Sequence, residues 1–383
     1  MKRILKYFLV LVLLLGILTL TGCGKKENET EKKNDIDYSN STADDLLSKI
    51  KDKENITKDE LIWLISTYSN VNIKDDFTLE DNITTEALSK ISGSNKPNLS
   101  EYLEVLLNSD SPQVRGYGIS LIPSLTGVTK ENLELAKNLI AKEENPYVLY
   151  CATKALSNEA KSAKEVGDFL LKMSENDNAK IREASAYALG NSWSKGLDGA
   201  TEAIIKLMND EDINVRKAAC RSAGKLEDEA VIDPLVKILN DEASADIHGE
   251  CIDGLVTLWY DYPFFEKTSE KAYNATMDYF RKTPRTEKIP AWTAVGAFKT
   301  TSTQASFTEW KQKATYFNTD ELYNIMVDII KDGNANWLAR SAAIDEIKSH
   351  CSDEKFKELK GVVDGLTDDK ASQLKSAYEG KAK

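Results

Sequence analysis

"NDNAKIREASAYALGN", residues 176–191, decides how this chain is read. Polar residues open it, β-branched Ile181 and then Arg182 follow, small residues fill the middle, and Leu189-Gly190 closes it. Four other stretches align with its centre, "IREASAYAL" from Ile181: "VRGYGISLI" from Val114, "VLYCATKAL" from Val148, "VRKAACRSA" from Val215 and "IHGECIDGL" from Ile247. In chain order the five starts lie 34, 33, 34 and 32 residues apart. Self-similarity at a fixed period of this size marks a repeat architecture.

Counting from the β-branched residue, the position four on is small: Gly118, Ala152, Ser185, Ala219 and Cys251. Eight on stand Ile122, Leu156, Leu189, Ala223 and Leu255. Such positions share one face of a helix, and small residues in that face let a second helix approach closely. The other half of each period supplies that partner, in "ENLELAKNLIAKEE", "AKEVGDFLLKMSEN", "GATEAIIKLMND" and "AVIDPLVKILND", all apolar at helical spacing. The unit is a helical hairpin. Its joints carry helix-start chemistry, namely Asn108-Ser-Asp-Ser-Pro, Asn145-Pro, Glu175-Asn-Asp-Asn and Asn209-Asp-Glu-Asp. Asp, Asn and Ser cap helix N-termini, and Pro fits the first turn.

A two-helix unit with an acidic turn, then Val-Arg or Ile-Arg, then Ala-rich small positions and Leu-Gly resembles a bacterial HEAT repeat. The nearest copies are residues 176–191 and "NDEDINVRKAACRSAGKL" from Asn209, and Pro234 matches a proline common in the second helix of such units. The resemblance implies an all-α fold, an α-solenoid of HEAT-like (Armadillo-type) hairpins with helical caps at both ends. It also implies that Arg115, Arg182 and Arg216 hydrogen-bond acidic turns along the stack. Leu149 and His248 occupy the same position and depart from the pattern.

The repeats are assigned to residues 108–258. Residues 43–107, with "ADDLLSKI", "TKDELIWLISTY", "TEALSKI" and "LSEYLEVLLNS", form an N-terminal helical cap. Residues 259–383 hold two enlarged units and a closing cap. Their first helices are "IPAWTAVGAF" and "NANWLARSAAIDEI", and their second helices "TDELYNIMVDIIKD" and "DEKFKELKGVVDGL".

Ahead of this body lies "MKRILKYFLVLVLLLGILTLTGCGKK". Lys2, Arg3 and Lys6 give a basic start, Phe8 to Leu20 an apolar core, and small residues the exit, the layout of a secretory signal peptide. A core of about 13 residues spans about 20 Å as a helix, short of the ~30 Å of a bilayer interior. Leu20-Thr21-Gly22-Cys23 resembles the lipobox of bacterial lipoproteins. That resemblance implies removal of residues 1–22 and acylation of Cys23, with palmitate-type chains holding the protein to a membrane, at the outer face of the cell membrane. Residues 23–42, rich in Lys, Glu and Asn, read as a disordered tether.

The formal net charge is -12, and loss of the three N-terminal cations takes it to about -15, which disfavours nucleic acid as a partner. Beyond Cys23 only Cys151, Cys220, Cys251 and Cys351 remain, read as free buried thiols, with two disulfides as the alternative. His248 and His350 are the only histidines, neither sits in HExxH or any zinc-ligand spacing, and GxSxG and the P-loop are equally missing. No catalytic residue, metal or cofactor is assigned, and the chain is not read as an enzyme. Glu227, Asp228 and Glu229 read as solvated surface.

One constellation rises above this background. "LWYDYPFF" from Leu258, with Trp292, Phe298, Trp310, Tyr316, Phe317 and Trp337, is dense enough in aromatics to form either core or a binding patch. Exposure of Trp259, Tyr260 and Tyr262 separates the two. The expected function is a membrane-anchored scaffold outside the cytoplasm that binds another protein on a curved face made mainly by second helices. The alternative is a peptide or glycan receptor that uses the aromatic C-terminal region.

Overall fold

A computed structural model describes residues 43–51, 56–90, 99–124, 128–260, 266–282 and 304–382. Cys23, Tyr262, Trp292, Phe298 and the stretch "IPAWTAVGAF" lie outside the described residues. Within them the protein is all-α, and the only extended pairing is a single bridge between Ile73 and Leu79.

Four helices precede the repeats: α1 (Ala43–Lys51), α2 (Lys58–Tyr68), α3 (Ile83–Lys90) and the short α4 (Leu103–Leu107). A capping box starts α2, in which the Thr57 hydroxyl accepts from the Glu60 amide while the Glu60 carboxylate accepts from the Thr57 amide. Leu46, Leu47, Leu61, Leu64 and Ile65 build a core of their own that reaches Val114 and Leu121 of the first repeat.

The repeats then alternate. First helices are α5 (Pro112–Leu121), α7 (Pro146–Ala155), α9 (Ala179–Leu189), α11 (Ile213–Ser222) and α13 (His248–Trp259). Second helices are α6 (Lys130–Ile140), α8 (Lys164–Met173), α10 (Ala200–Leu207), α12 (Ile232–Leu239) and α14 (Glu270–Lys282). Each first helix packs on the next first helix, from α5 through α7, α9 and α11 to α13, while α4, α6 and α8 follow one another in the second layer, as do α12 and α14. This is an α-solenoid.

The local causes are plain. Ser111, Asn145, Asn178 and Asp212 are the N-caps of α5, α7, α9 and α11, each accepting a hydrogen bond from a first-turn amide. Pro112 and Pro146 occupy first-turn positions, where a missing N–H costs nothing. All residues at the β-branched position and four and eight beyond it are buried. Ser185, one of the small set, donates its hydroxyl to the Leu170 carbonyl of α8 at 2.8 Å, so its polar atom is satisfied where α9 packs on the second helix of the preceding repeat.

Helix α14 is absent from the sequence reading. Its buried face is aromatic and polar, with Tyr273, Thr276, Met277 and Phe280 at helical spacing rather than a run of aliphatics. It completes the repeat begun by α13 and stacks on α12. Beyond it come α15 (Gln304–Lys313), α16 (Thr319–Lys331), α17 (Trp337–His350), α18 (Asp353–Asp364) and α19 (Ala371–Ala382). Helix α16 packs on α17 and on α18, and α19 closes the end against α17 and α18. One hydrophobic core runs from Leu103 to Tyr378.

The tightest joint lies between α11 and α13. A Cβ at Gly254 would sit 2.3 Å from the Cys220 carbonyl oxygen, and one at Gly224 would sit 2.2 Å from the Gly254 carbonyl oxygen. Backbone cannot move aside as a side chain can, so Gly254→Ala should cost about 2 kcal/mol net despite a better helix propensity. Gly361, in α18, faces open space, and Gly361→Ala should stabilise by up to about 1 kcal/mol. Urea unfolding of the two variants with wild type checks both signs.

Candidate functional site: the turn edge and its arginine rungs

The turns that enter the first helices form one edge of the stack, and a side-chain oxygen at a fixed place organises each turn. Ser109, Glu143, Asn176 and Asp210 accept from the amide two residues on, at 3.2, 2.9, 2.9 and 2.9 Å. These residues repeat at the period of the array. Each is followed by an exposed carboxylate, Asp110, Glu144, Asp177 or Glu211.

Arginine ties some of these turns together. Arg115 donates Nη1 to the Ser109 carbonyl at 2.8 Å, and Nε and Nη2 to the Glu143 carboxylate at 2.7 and 3.0 Å. Arg182 does the same between the Asn176 carbonyl, at 2.9 Å, and the Asp210 carboxylate, at 2.8 and 2.9 Å. In both cases the acid lies 28 residues beyond the arginine. Two parallel N–H donors on one carboxylate give a geometry that lysine does not reproduce.

Arg216 reaches only back, to the carbonyls of Asp210 and Glu211 at 2.8 and 3.0 Å, and makes no ion pair among the described residues. Its partner turn is built differently, as a 3-10 helix over Glu242–Ile247 capped by Asp241. Leu149 offers no donor, and the turn it faces carries the neutral Asn176 instead of an acid. Arginine and acid are lost together. The rungs therefore alternate: the turns at 109 and 143 are joined, those at 143 and 176 are not, and those at 176 and 210 are joined again.

His248 fills the remaining arginine position in another way. Its Nε2 faces the carbonyls of Ile238 and Asp241, both at 3.1 Å, so that nitrogen carries a proton, and Nδ1 shares a hydrogen bond with the Tyr279 hydroxyl at 2.7 Å. His350 is also buried, beside Glu346 at 3.3 Å.

A third carboxylate-bound rung stands at Arg340, which the sequence reading passes over. Arg340 is fully buried, donates Nε to the Ile330 carbonyl at 2.8 Å, and grips Asp368 with Nη1 and Nη2 at 3.0 and 2.7 Å. Its acid again lies 28 residues on. The signal was present: Ala343 and Ile347 stand three and seven beyond Arg340, as Ser185 and Leu189 do beyond Arg182. Ala339 takes the place of the β-branched residue, which hid the register.

Electrostatics follow this geometry. Burial pushes the Glu143 and Asp210 carboxyls up, but the arginine hydrogen bonds, the turn amides and the arginine charge outweigh it and hold both below the usual range. Asp368 is held at about 2, first by its Arg340 hydrogen bonds, against the opposing effect of burial, and then by the Lys370 amide and the arginine charge.

Among the described residues, the aromatic cluster around Trp259 is core, while Trp337 stays exposed. Trp259 and Tyr260 are 0% and 2% exposed, so the expectation that they meet a partner is corrected. Trp259 donates its indole N–H to Thr276 at 3.1 Å, and Trp310 donates to the carbonyls of Trp259 and Lys267. The reason is volume: Trp259, Tyr260, Tyr273, Trp310 and Phe317 pack ring to ring in the widened space beside α14, where aliphatic side chains would leave gaps. Trp193 and Trp337 are the exposed tryptophans among the described residues, at 60% and 39%. Cys151, Cys220 and Cys251 are free and buried; Cys351 is free but only half-buried, where the sequence reading had it buried.

The second helices present a face of mixed charge, crossed between repeats by the ion pairs Lys137–Glu165, Lys271–Asp233 and Arg281–Glu321. Two open depressions lie between successive second helices. One, of about 340 Å³, is lined by Glu104, Leu107, Leu139 and Lys142. The other, of about 580 Å³, is lined by Lys331, Gly361, Gly365 and Asp368.

Fold and rungs define an all-α repeat protein, an α-solenoid of helical hairpins. Residues 167–255 match the family described as HEAT repeats. No curated protein matches the chain. Among solved structures, a crystal structure of an engineered protein is similar at 16% identity and a TM-score of 0.35, covering 75% of this chain and 79% of that one. The complex of CpcE and CpcF of phycocyanin lyase from Nostoc sp. PCC7120 is similar at 17% identity and a TM-score of 0.29, covering 68% of this chain and 97% of that one. Neither likeness is close enough to bear on function.

Removing a buried arginine strands its acid and its carbonyl. Arg340→Ala should cost on the order of 3 kcal/mol, with Asp368 partly relieved by water, whereas Arg216→Ala should cost about 1 kcal/mol. The depressed Asp368 value means its stabilisation is complete above a pH of about 4 and is lost as pH falls toward about 2. Denaturant midpoints measured between those limits should fall less steeply in Arg340→Ala than in wild type.

Proposed function

We propose that this protein is a lipid-anchored scaffold outside the cytoplasm that holds another protein against its helical repeats. The observation that carries the reading is the regular stack of hairpins, matched to HEAT repeats over residues 167–255. Repeats that contact only their neighbours expose a long continuous surface, and HEAT-type proteins use such surfaces to bind protein partners. The second-helix face, with both charge signs interleaved, suits a polar partner surface recognised by charge pairing.

Support for the anchor comes from residues 1–23, with a basic start, a short apolar core and Leu20-Thr21-Gly22-Cys23. Several acyl chains at Cys23, each methylene worth about 0.8 kcal/mol when buried, would make the attachment durable. No helix among the described residues is long and apolar enough to cross a membrane. The compact unit begins at Ala43, after a stretch of some 20 polar residues that would let it reach a few tens of Å from the bilayer. The net negative charge repels nucleic acid, and no catalytic role is assigned.

Two measurements test this. Cys23→Ala should move the protein from the membrane fraction to the soluble or unprocessed pool, and metabolic labelling with a palmitate analogue should be lost; retention of label would refute the anchor. Crosslinking in intact cell envelopes should trap a protein partner whose recovery falls as ionic strength rises. Recovery of no partner would remove the scaffold reading.

A further inference from the structure

The seam between α11 and α13 lacks an arginine rung, because Arg216 finds no carboxylate across it. It holds instead the closest backbone contact of the repeats, at Gly224 and Gly254, together with surface ion pairs from Arg221 to Glu250 and Asp253. Two cysteines lie in this seam, one on each helix, and both are 0% exposed and unoxidised. Cys251 occupies the small position of its repeat. Cys220 follows the small Ala219 of its own, and its carbonyl is the atom that Gly254 must admit.

We propose that Cys220 and Cys251 form a reversible disulfide that latches the repeat beginning at Val215 to the repeat beginning at Ile247. Helices separated only by glycine approach closely enough for facing sulfurs to meet. Cys251 stands one helical turn before Gly254 on the same face of α13, and Gly254 meets the Cys220 carbonyl, so the two cysteines lie at one level of the seam. The upward push on the Cys251 thiol, by Cys220 and then by burial, agrees with that placement. The remaining body cysteines have different neighbours: Cys151 contacts the hydroxyls of Tyr147 and Ser120, and Cys351 lies 3.7 Å from the Thr319 carbonyl.

The oxidant is an exchange-active disulfide, carried by a protein or a small molecule. One cysteine thiolate attacks it, forms a mixed disulfide and releases the first oxidant thiol. The second cysteine thiolate attacks the sulfur of the first, closes the Cys220–Cys251 bond and releases the second oxidant thiol. Two protein thiols are oxidised, one disulfide is reduced, and the two protons leave with the two released thiolates. Both sulfurs are closed to solvent, so the first step waits on a local opening of the seam and is slow under conditions where the fold is most stable.

The test uses the full chain incubated with oxidised glutathione from room temperature to just below the unfolding midpoint, with circular dichroism recorded throughout. Samples are quenched with N-ethylmaleimide and digested for mass spectrometry. The expected result is a 220–251 cross-linked peptide pair that accumulates while the helical signal is intact, accelerates with temperature and is reversed by dithiothreitol. Cys251→Ser should abolish that pair, and Cys351→Ser should leave it unchanged. The proposal is overturned if the folded protein keeps both cysteines alkylatable at every temperature after denaturation. It is overturned equally if Cys220 or Cys251 joins a different cysteine, or if the pair forms only once the helical signal is lost.

Discussion

Everything in the stack depends on how closely consecutive first helices approach. A small residue in the middle of a buried face admits the neighbouring second helix, as Gly118 meets Leu106 and Ser185 the Leu170 carbonyl, and at Gly224 and Gly254 consecutive first-helix segments meet backbone against backbone. The second helices then lie where the hairpin loops allow, and the turns are brought into a row along one edge. The arginine rungs are a consequence of that row, since a guanidinium reaches a carboxylate 28 residues away only when two turns sit one helix width apart.

Those rungs belong to a different energetic class from the ion pairs on the second-helix face. Lys137–Glu165 and Arg281–Glu321 are partly solvated and contribute little each. Arg182 and Asp210 are about one-tenth exposed, and Arg340 is fully enclosed, so losing the acid leaves a buried guanidinium without its partner, whereas Asp368 on its own keeps some contact with water. Each acid also accepts a turn amide, and the rung thereby fixes the loop as well as its neighbour. At His248 the same need to satisfy turn carbonyls is met by an imidazole nitrogen, with the other ring nitrogen held by the Tyr279 hydroxyl.

The repeats were legible in the sequence because position, size and capping agree there: Ile181, Ser185 and Leu189 state the face, and Asn178 the start. Legibility failed where the pattern depends on partners rather than on the residue itself. Arg340 was hidden by Ala339 in place of a β-branched residue. Helix α14 was hidden by Tyr273, Met277 and Phe280 in place of aliphatics. Trp259 and Tyr260 could have served a surface or a core in the linear chain, and only the space opened by α14 puts them inside. The surface a partner would meet left the weakest trace, because exposed residues such as Tyr187 and Trp193 are constrained by nothing that repeats.

The alternation of rungs gives the array a mechanical grain. Repeats are clasped in twos by Arg115 and Arg182, and the joints between the twos, at Asn176 and at the turn after α12, have no such clasp. The joints therefore differ in kind: guanidinium–carboxylate clasps hold α5 to α7 and α9 to α11 at the turn edge, whereas α11 and α13 are held in the helix layer by backbone contact at Gly224 and Gly254. A body built this way divides its stiffness between two places, charged clasps along one edge and bare backbone contact in the helix layer, so no single kind of substitution loosens every joint.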